Sequence, residues 1–356
     1  VDAANLFTGR ATINLLEESS LGVIMTNGDP RSNLDNNVLG VDFKYLNTRI
    51  SNNRSIQGSA WYQKSETDGL QGNDASYGIR FDMPTSQGFR FNATFKEIQE
   101  NFNPAQGFVN RAGIRDISAQ VGYMRRFPAG GRVRNIFSQF ALQRVESISG
   151  ELQSLVLDAR AFQVNSDAGD TLRFLLTDSR EVLTEPFTIW DPDPSSGDLP
   201  VVIPVGDYSF NDFGFQVQSE GSRKLAGNFT YRSGDFFGGT KESTVSQITW
   251  TPTEHWRFFM RYSHDAIELP QGEFDLRLAR VGLDYVFSNT LSWVNLIQYD
   301  NGSEVAGLNS RIHWIPEAGR EAFIVLNHNL EDRNRNSSFH STAADLSIKF
   351  SYTFRF

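Results

Sequence analysis

Residues 343–356 read AADLSIKFSYTFRF, and their reading decides the fold. From Leu346 onward, Leu346, Ile348, Phe350, Tyr352, Phe354 and Phe356 alternate with Ser347, Lys349, Ser351, Thr353 and Arg355. Side chains on a strand point to opposite faces in turn, so this segment has one apolar face and one polar face. The apolar face runs to the last residue, where a soluble chain usually frays. A soluble sandwich could bury such a face. A transmembrane barrel strand, with lipid on one side and a polar lumen on the other, explains it directly.

Composition narrows the choice. The chain has 356 residues, 39% hydrophobic and 13% aromatic, with 29 Phe, 29 Gly and no Cys. No apolar run reaches the roughly 18 residues that a membrane-spanning helix needs. The mean hydropathy of −0.38 does not oppose a barrel, because only alternate strand residues meet lipid and the loops are polar. The net charge of −9, without a basic stripe, argues against nucleic acid as a partner. Lack of cysteine suits passage through an oxidising compartment. No signal peptide precedes Val1, so the expectation is that it has been removed or that the chain is a fragment.

The same alternation recurs along the chain. Leu39, Val41, Phe43 and Tyr45 oppose Gly40, Asp42 and Lys44, and Ile79 and Phe81 oppose Arg80 and Asp82. Phe89, Phe91 and Phe95 oppose Arg90, Asn92 and Lys96. Trp256, Phe258, Met260 and Tyr262 oppose Arg257, Arg261 and Ser263. Val281, Leu283 and Tyr285 oppose Arg280, Gly282 and Asp284, and Leu308, Ile312 and Trp314 oppose Asn309, Arg311 and His313. Segments 135–145, 172–180 and 291–299 carry apolar residues in both phases and read as strands of ambiguous facing. The total is about 19 strands, most longer than the roughly 5–6 residues of ordinary globular strands. Only the stretch Pro316 to Ala322 suggests a turn of helix.

The connections form an independent test. Counted back from Phe356 with a periplasmic C-terminus, one side receives short turns such as 316–320, 288–290, 252–254, 221–224, 128–132 and 84–88. The other receives 331–342, 185–207, 99–113, 66–73 and 28–36, the asymmetry of outer-membrane barrels. Single-chain bacterial barrels have even strand numbers. The odd count leaves two readings open: a strand missed or split, or, the favoured one, an N-terminal strand and whatever precedes it lying outside this chain.

Between about 181 and 300, the runs EVLTEPFTI, IPVGDYSF and WTPTEHWRFFMRYSHDAIELPQGEFDLRLARVGLDYVFSNTLSWVNLIQYDN resemble the C-terminal domain of a bacterial outer-membrane family. In that family an N-terminal domain like a family 9 carbohydrate-binding module precedes a β-barrel domain of unknown function. NLLEESSLGVIMTN (14–27) and NNVLGVDFKYLN (36–47) are similar to it too, so the resemblance covers most of the chain. It rests on strand patterns rather than a catalytic signature. It implies an outer-membrane barrel and supplies no catalytic residues. It also implies that the aromatic end at Phe356 is what the barrel-assembly machinery reads.

The candidate pore-lining residues are those of the polar face: Asp42, Lys44, Arg80, Asp82, Arg90, Lys96, Arg257, Arg261, Arg280, Asp284, Arg311 and Lys349. Charged rings of this kind sort solutes. The bland reading is interior ion pairs that brace the wall, and several residues would do both. Basic residues predominate on this face, a bias that suits anionic solutes. The loop DPDPSSGD carries Asp191, Asp193 and Asp198 but lacks the spacing and closing Glu of a calcium loop, so it reads as solvated; the long segment around it could instead fold into the lumen. The five histidines show no ligand spacing, so no metal or cofactor is expected. Ser263 and His264 are adjacent on a strand, point to opposite faces, and cannot form a catalytic pair.

The sequence therefore leads to an all-β protein, a transmembrane antiparallel β-barrel of about 18–20 strands filling residues 1–356 as one domain. It is expected in the outer membrane of a Gram-negative bacterium, as a porin-like channel or transporter for small solutes and not an enzyme. The alternative is a closed structural barrel that anchors a partner domain or complex. Expected partners are outer-membrane lipid and lipopolysaccharide, the assembly machinery at Phe356, and an N-terminal domain or protein partner. Arg at Phe350 or Leu283 is expected to be costly, and Arg at Ser351 or Gly282 to be tolerated where there is space.

Overall fold

The structure is a computed structural model that describes residues 5–32, 34–51, 54–192, 197, 199–332 and 338–353. Phe354, Phe356, Asp193 and Asp198 lie outside the described residues. Among the described residues the chain is all β, without a helix.

The strands are β1 (Phe7–Leu15), β2 (Ser19–Asn27), β3 (Asn36–Ser51), β4 (Arg54–Thr67), β5 (Ala75–Met83), β6 (Gly88–Ile98) and β7 (Ile114–Arg126). Next come β8 (Val133–Ser147), β9 (Leu152–Ser166), β10 (Thr171–Leu183), β11 (Phe187–Trp190), β12 (Val201–Ile203), β13 (Gly206–Gln218) and β14 (Leu225–Phe236). The last are β15 (Gly239–Trp250), β16 (Trp256–Leu269), β17 (Gly272–Ser288), β18 (Leu291–Asp300), β19 (Val305–Glu317), β20 (Arg320–Glu331) and β21 (His340–Tyr352). Among the described residues, 19 strands belong to one sheet, and β11 and β12 pair separately. Contacts divide the chain into two compact units.

The first unit holds Val1–Pro128, Asn135–Phe162 and Leu176–Leu183. Its strands β1 to β8 pair with their chain neighbours in antiparallel register. Leu39, Ile79, Phe89 and Val121 stand on one face of this unit and are exposed. Asp42, Arg80, Arg90 and Lys96 fall on the other, here called the inner face. Connections 16–18 and 84–87 are short, whereas 28–35, 68–74 and 99–113, all at the opposite strand ends, are longer. Gly28 opens the first of these at φ 96°, where a Cβ would also sit 2.5 Å from the Asn5 carbonyl oxygen. Only glycine fits there.

The second unit holds Ala129–Arg134, Gln163–Leu175 and Thr184–Phe356. Strands β13 to β21 again pair in chain order. Val281 faces Met260 and Ile297 across its two neighbours, and all three are exposed. Near the short-turn ends, Trp256 packs on Tyr285 at 4.3 Å and Trp250 on Phe258 at 5.3 Å, a cluster of the kind that sits at a membrane interface. At the far ends the same face turns charged, with Asp275 holding Arg277 and His264.

Two expectations change here. Pro316 lies in β19, where the register to β20 shifts between Trp314 and Glu317, so a bulge takes the place of the helical turn. The loop sorting is also less strict than the sequence implied. Connections 148–151, 237–238, 270–271 and 301–304 are as tight as the turns at the other strand ends. Phe237 and Gly238 both take positive φ, 45° and 82°, which matches the turn to the twist of β14 and β15.

Candidate functional site

The inner face of each unit is covered at the long-loop end by a segment that folds onto it. In the first unit this is loop 99–113. Phe102 and Ala105 are buried, and Asn36 and Ser65, on the inner faces of β3 and β4, are fully enclosed beneath the loop. The Asn36 amide donates to the Asn103 carbonyl at 2.7 Å and to the Thr67 hydroxyl at 2.8 Å, and it accepts from the Ala105 N–H at 3.2 Å. The Ser65 hydroxyl accepts from the Asn103 N–H at 3.0 Å. Gln106 accepts from the Thr8 hydroxyl at 2.8 Å and donates to the Asn27 carbonyl at 2.5 Å. The loop's backbone needs are thus met by wall side chains, which is what a segment buried away from water requires. Between the loop and the strands lies a cavity of about 720 Å³ whose lining includes Gln63, Lys96, Arg111, Asp116 and Gln143.

In the second unit the infolded segment is the β11–β12 hairpin. Ile267 and Phe274, paired across β16 and β17 on the inner face, are buried with Val201, and Trp190 stacks on Phe274 at 5.2 Å. Ile203 is fully enclosed. The sequence left open whether segment 185–207 stays outside or folds inward; Ile189, Trp190 and Val201 within it pack onto the inner face.

The candidate lining residues divide into two groups. The first is braced. Asp42 pairs with Arg10 at 2.8 Å, Arg80 with Asp82 at 2.6 Å, Lys96 with Asp116 at 3.0 Å and Arg257 with Asp284 at 2.8 Å. Arg90 lies 5.4 Å from the Phe137 ring centroid, as does Arg160. Phe137 is an inner-face aromatic kept from water by these cations, which explains the mixed phase of segment 135–145. The second group is unbraced. Among the described residues Lys44, Arg261, Arg280, Arg311 and Lys349 make no ion pair or hydrogen bond. Arg261 and Arg280 stand directly opposite each other. Arg311 lies between Val294 and Val325, and Lys349 opposite Phe323.

Alternation alone did not single out Arg10, Asp116, Asn36 or Gln106. The run FTGRATIN (7–14) carried the signal for Arg10, since Thr8, Arg10 and Thr12 alternate with Gly9, Ala11 and Ile13. No local signal marks Asn36 or Gln106, whose partners are up to 99 residues away. Arg at Gly282 is expected to be tolerated where there is space, and that condition is not met. The Phe259 ring lies against it, so a Cβ at 282 would be 1.9 Å from Phe259 Cε1, and the space for a larger side chain is absent. Ser263 falls on the inner face, and His264 contacts Asp275 at 3.2 Å on the outer one.

No family model and no curated protein matches the chain. Among solved structures it is similar to two variants of the ferric enterobactin receptor PfeA of Pseudomonas aeruginosa. One is 10% identical and matches over 99% of this chain and 73% of that one, with a TM-score of 0.50. The other, in complex with enterobactin, is 10% identical over 96% and 70%, with a TM-score of 0.52. OmpF of Salmonella typhi, in complex with daunomycin, is 11% identical over 83% and 89%, with a TM-score of 0.38. At such identities the receptor likeness is one of fold. The chain has the all-β fold of the transmembrane antiparallel β-barrels.

Proposed function

We propose that the chain is a porin-like channel or transporter of the Gram-negative outer membrane, passing small solutes, saccharides or anions, through its lumen. The observation that carries this reading is the set of unbraced cations on the inner faces, Lys44, Arg261, Arg280, Arg311 and Lys349. A wall built only for stability pairs its charges or replaces them with apolar residues, because an unpartnered cation adds desolvation cost without an ion pair. Charged positions that face water without a partner are what a selective pore employs. Lipid and lipopolysaccharide would surround the apolar face, and assembly would use the C-terminal strand. An upstream carbohydrate-binding domain belongs to the same reading.

Conductance across a planar bilayer tests it. A folded, heat-modifiable barrel should give discrete steps. A folded barrel that stays silent would instead favour a closed scaffold that anchors a partner, the reading supported by loop 99–113 and the β11–β12 hairpin folding inward.

A further inference from the structure

On the inner face of the second unit, one lateral row sets two unbraced arginines directly against each other. Asn228, Gln247, Arg261, Arg280 and Gln298 stand opposite one another in register across β14, β15, β16, β17 and β18. Side-chain hydrogen bonds continue the row. Gln216 donates to Asn228 at 2.8 Å, and Arg173 donates to Gln216 at 2.8 Å and to Gln163 at 3.1 Å. The row has three arginines, five amides and no carboxylate.

Neighbouring rows behave differently. Toward the short turns, Arg257 has Asp284. Toward the hairpin, Lys241 has Asp265 at 3.2 Å, and Arg232 has Asp212. Arg257, Lys241 and Arg232 each have an acid, the unbraced Arg311 and Lys349 stand opposite uncharged residues, and Arg261 and Arg280 have each other. Like charges directly opposite on a sheet, Cβ atoms about 5 Å apart, repel. Gln247 and Gln298, which flank the pair, make no hydrogen bond among the described residues. Arg280 Nε is buried without a partner, an orphaned donor of the kind that native structures seldom retain without a use.

We propose that Arg261 and Arg280, flanked by Gln247 and Gln298, form an oxyanion-binding step in the lumen, taken by small solutes that carry a phosphate or carboxylate group. Guanidinium groups match both oxyanions with paired N–H donors, and the two amides supply further donors. A bound oxyanion relieves the arginine repulsion and satisfies Arg280 Nε. Gln163, Arg173, Gln216 and Asn228 are already spent on one another, so they extend the positive potential rather than the donor set. The row holds no acid to compete. The inference rests on the pore reading for its role in transport, but the binding step itself does not require flow.

The experiment uses the full chain, folded in detergent and in planar bilayers, with inorganic pyrophosphate as the probe. Pyrophosphate should block the wild-type current, and the R261Q/R280Q variant should need roughly tenfold more for the same block, as loss of two close charges implies. The outer-face control R277Q, at a residue paired with Asp275, removes a charge without touching the row and should block like wild type. In a potassium chloride gradient the wild-type reversal potential should show anion preference, reduced in R261Q/R280Q. Conductance with equal block in all three proteins overturns the binding step while the pore reading stands. If the barrel is silent, the pore reading fails, and calorimetric titration in detergent decides the step. Pyrophosphate binding lost in R261Q/R280Q supports it, and binding that is absent or unchanged overturns it. The single variant R261Q, scored for heat-modifiable migration, covers misfolding of the double one.

Discussion

Leu346→Arg and Ser347→Arg are adjacent changes on the last strand that should differ sharply in cost. Leu346 is 64% exposed, and its cross-strand neighbour Leu326 is exposed as well. In β21, His340–Tyr352, position 346 is six residues from either end. A strand rising about 3.3 Å per residue and tilted about 40° advances roughly 2.5 Å along the membrane normal. Leu346 is then roughly 15 Å from each strand end, beyond the reach of an arginine of roughly 7 Å that must snorkel to the interface. Arg at the midplane on the lipid face costs about 2–4 kcal/mol. Ser347 faces inward opposite Val325, and its hydroxyl donates to Asp345 at 2.9 Å. Losing that exposed bond costs about 0.5–1.5 kcal/mol at most. Equilibrium unfolding from lipid vesicles in guanidinium should show Leu346→Arg less stable than Ser347→Arg by about 1–3 kcal/mol. Equal penalties, or the reverse order, would refute the facing of β21 and with it the membrane reading.

Asn36→Ala should release loop 99–113 from the wall, because one amide holds both Asn103 and Ala105. Leaving such partners unsatisfied costs about 1–3 kcal/mol. Lower thermal stability should accompany faster proteolysis within 99–113, and a change in neither measurement removes the anchor role. Gly282→Ala should cost about 1–3 kcal/mol by overpacking against the Phe259 ring. Pairing it with Phe259→Ala should restore much of the loss in a double-mutant cycle, and strict additivity would show that the two sites do not touch. The loop 28–35 should loosen in acid. The Ser32 hydroxyl, then the Arg31 N–H, hold the Asp29 carboxyl below its ordinary value of 3.8. A depressed folded pKa contributes stability above that ordinary value and loses it as pH falls through the folded one. Protease cleavage of the loop should therefore rise on acidification, and Asp29→Asn should remove that dependence; an unchanged acid profile in the variant would count against it.

Much of the fold was legible because alternation is a local property. Leu39, Ile79, Phe89, Val281 and Leu346 could be assigned to one face from their neighbours alone, and all five are exposed. The ambiguous segments failed for a nonlocal reason. Phe137 sits on the inner face because Arg90, 47 residues before it, and Arg160, 23 after it, cover its ring. Ile267 and Phe274 are apolar on the inner face because the distant β11–β12 hairpin covers them. Whether there is space at Gly282 was not legible, because nothing adjacent reveals that the Phe259 ring lies across it.

The candidate site divides in the same way. Period two placed Arg257, Arg261, Arg280 and Asp284 on the polar face, since the facing of a side chain depends only on its parity within a strand. Which of these charges are braced depends on register between strands, and register joins residues that sequence spacing does not relate. The register between β16 and β17 sets Arg257 against Asp284 and Arg261 against Arg280. A shift of two residues would keep every facing and re-pair every charge. The sequence by itself determined the sheet and its two faces, and the tertiary structure alone decided which charges on the inner face are spent and which are left open to a solute.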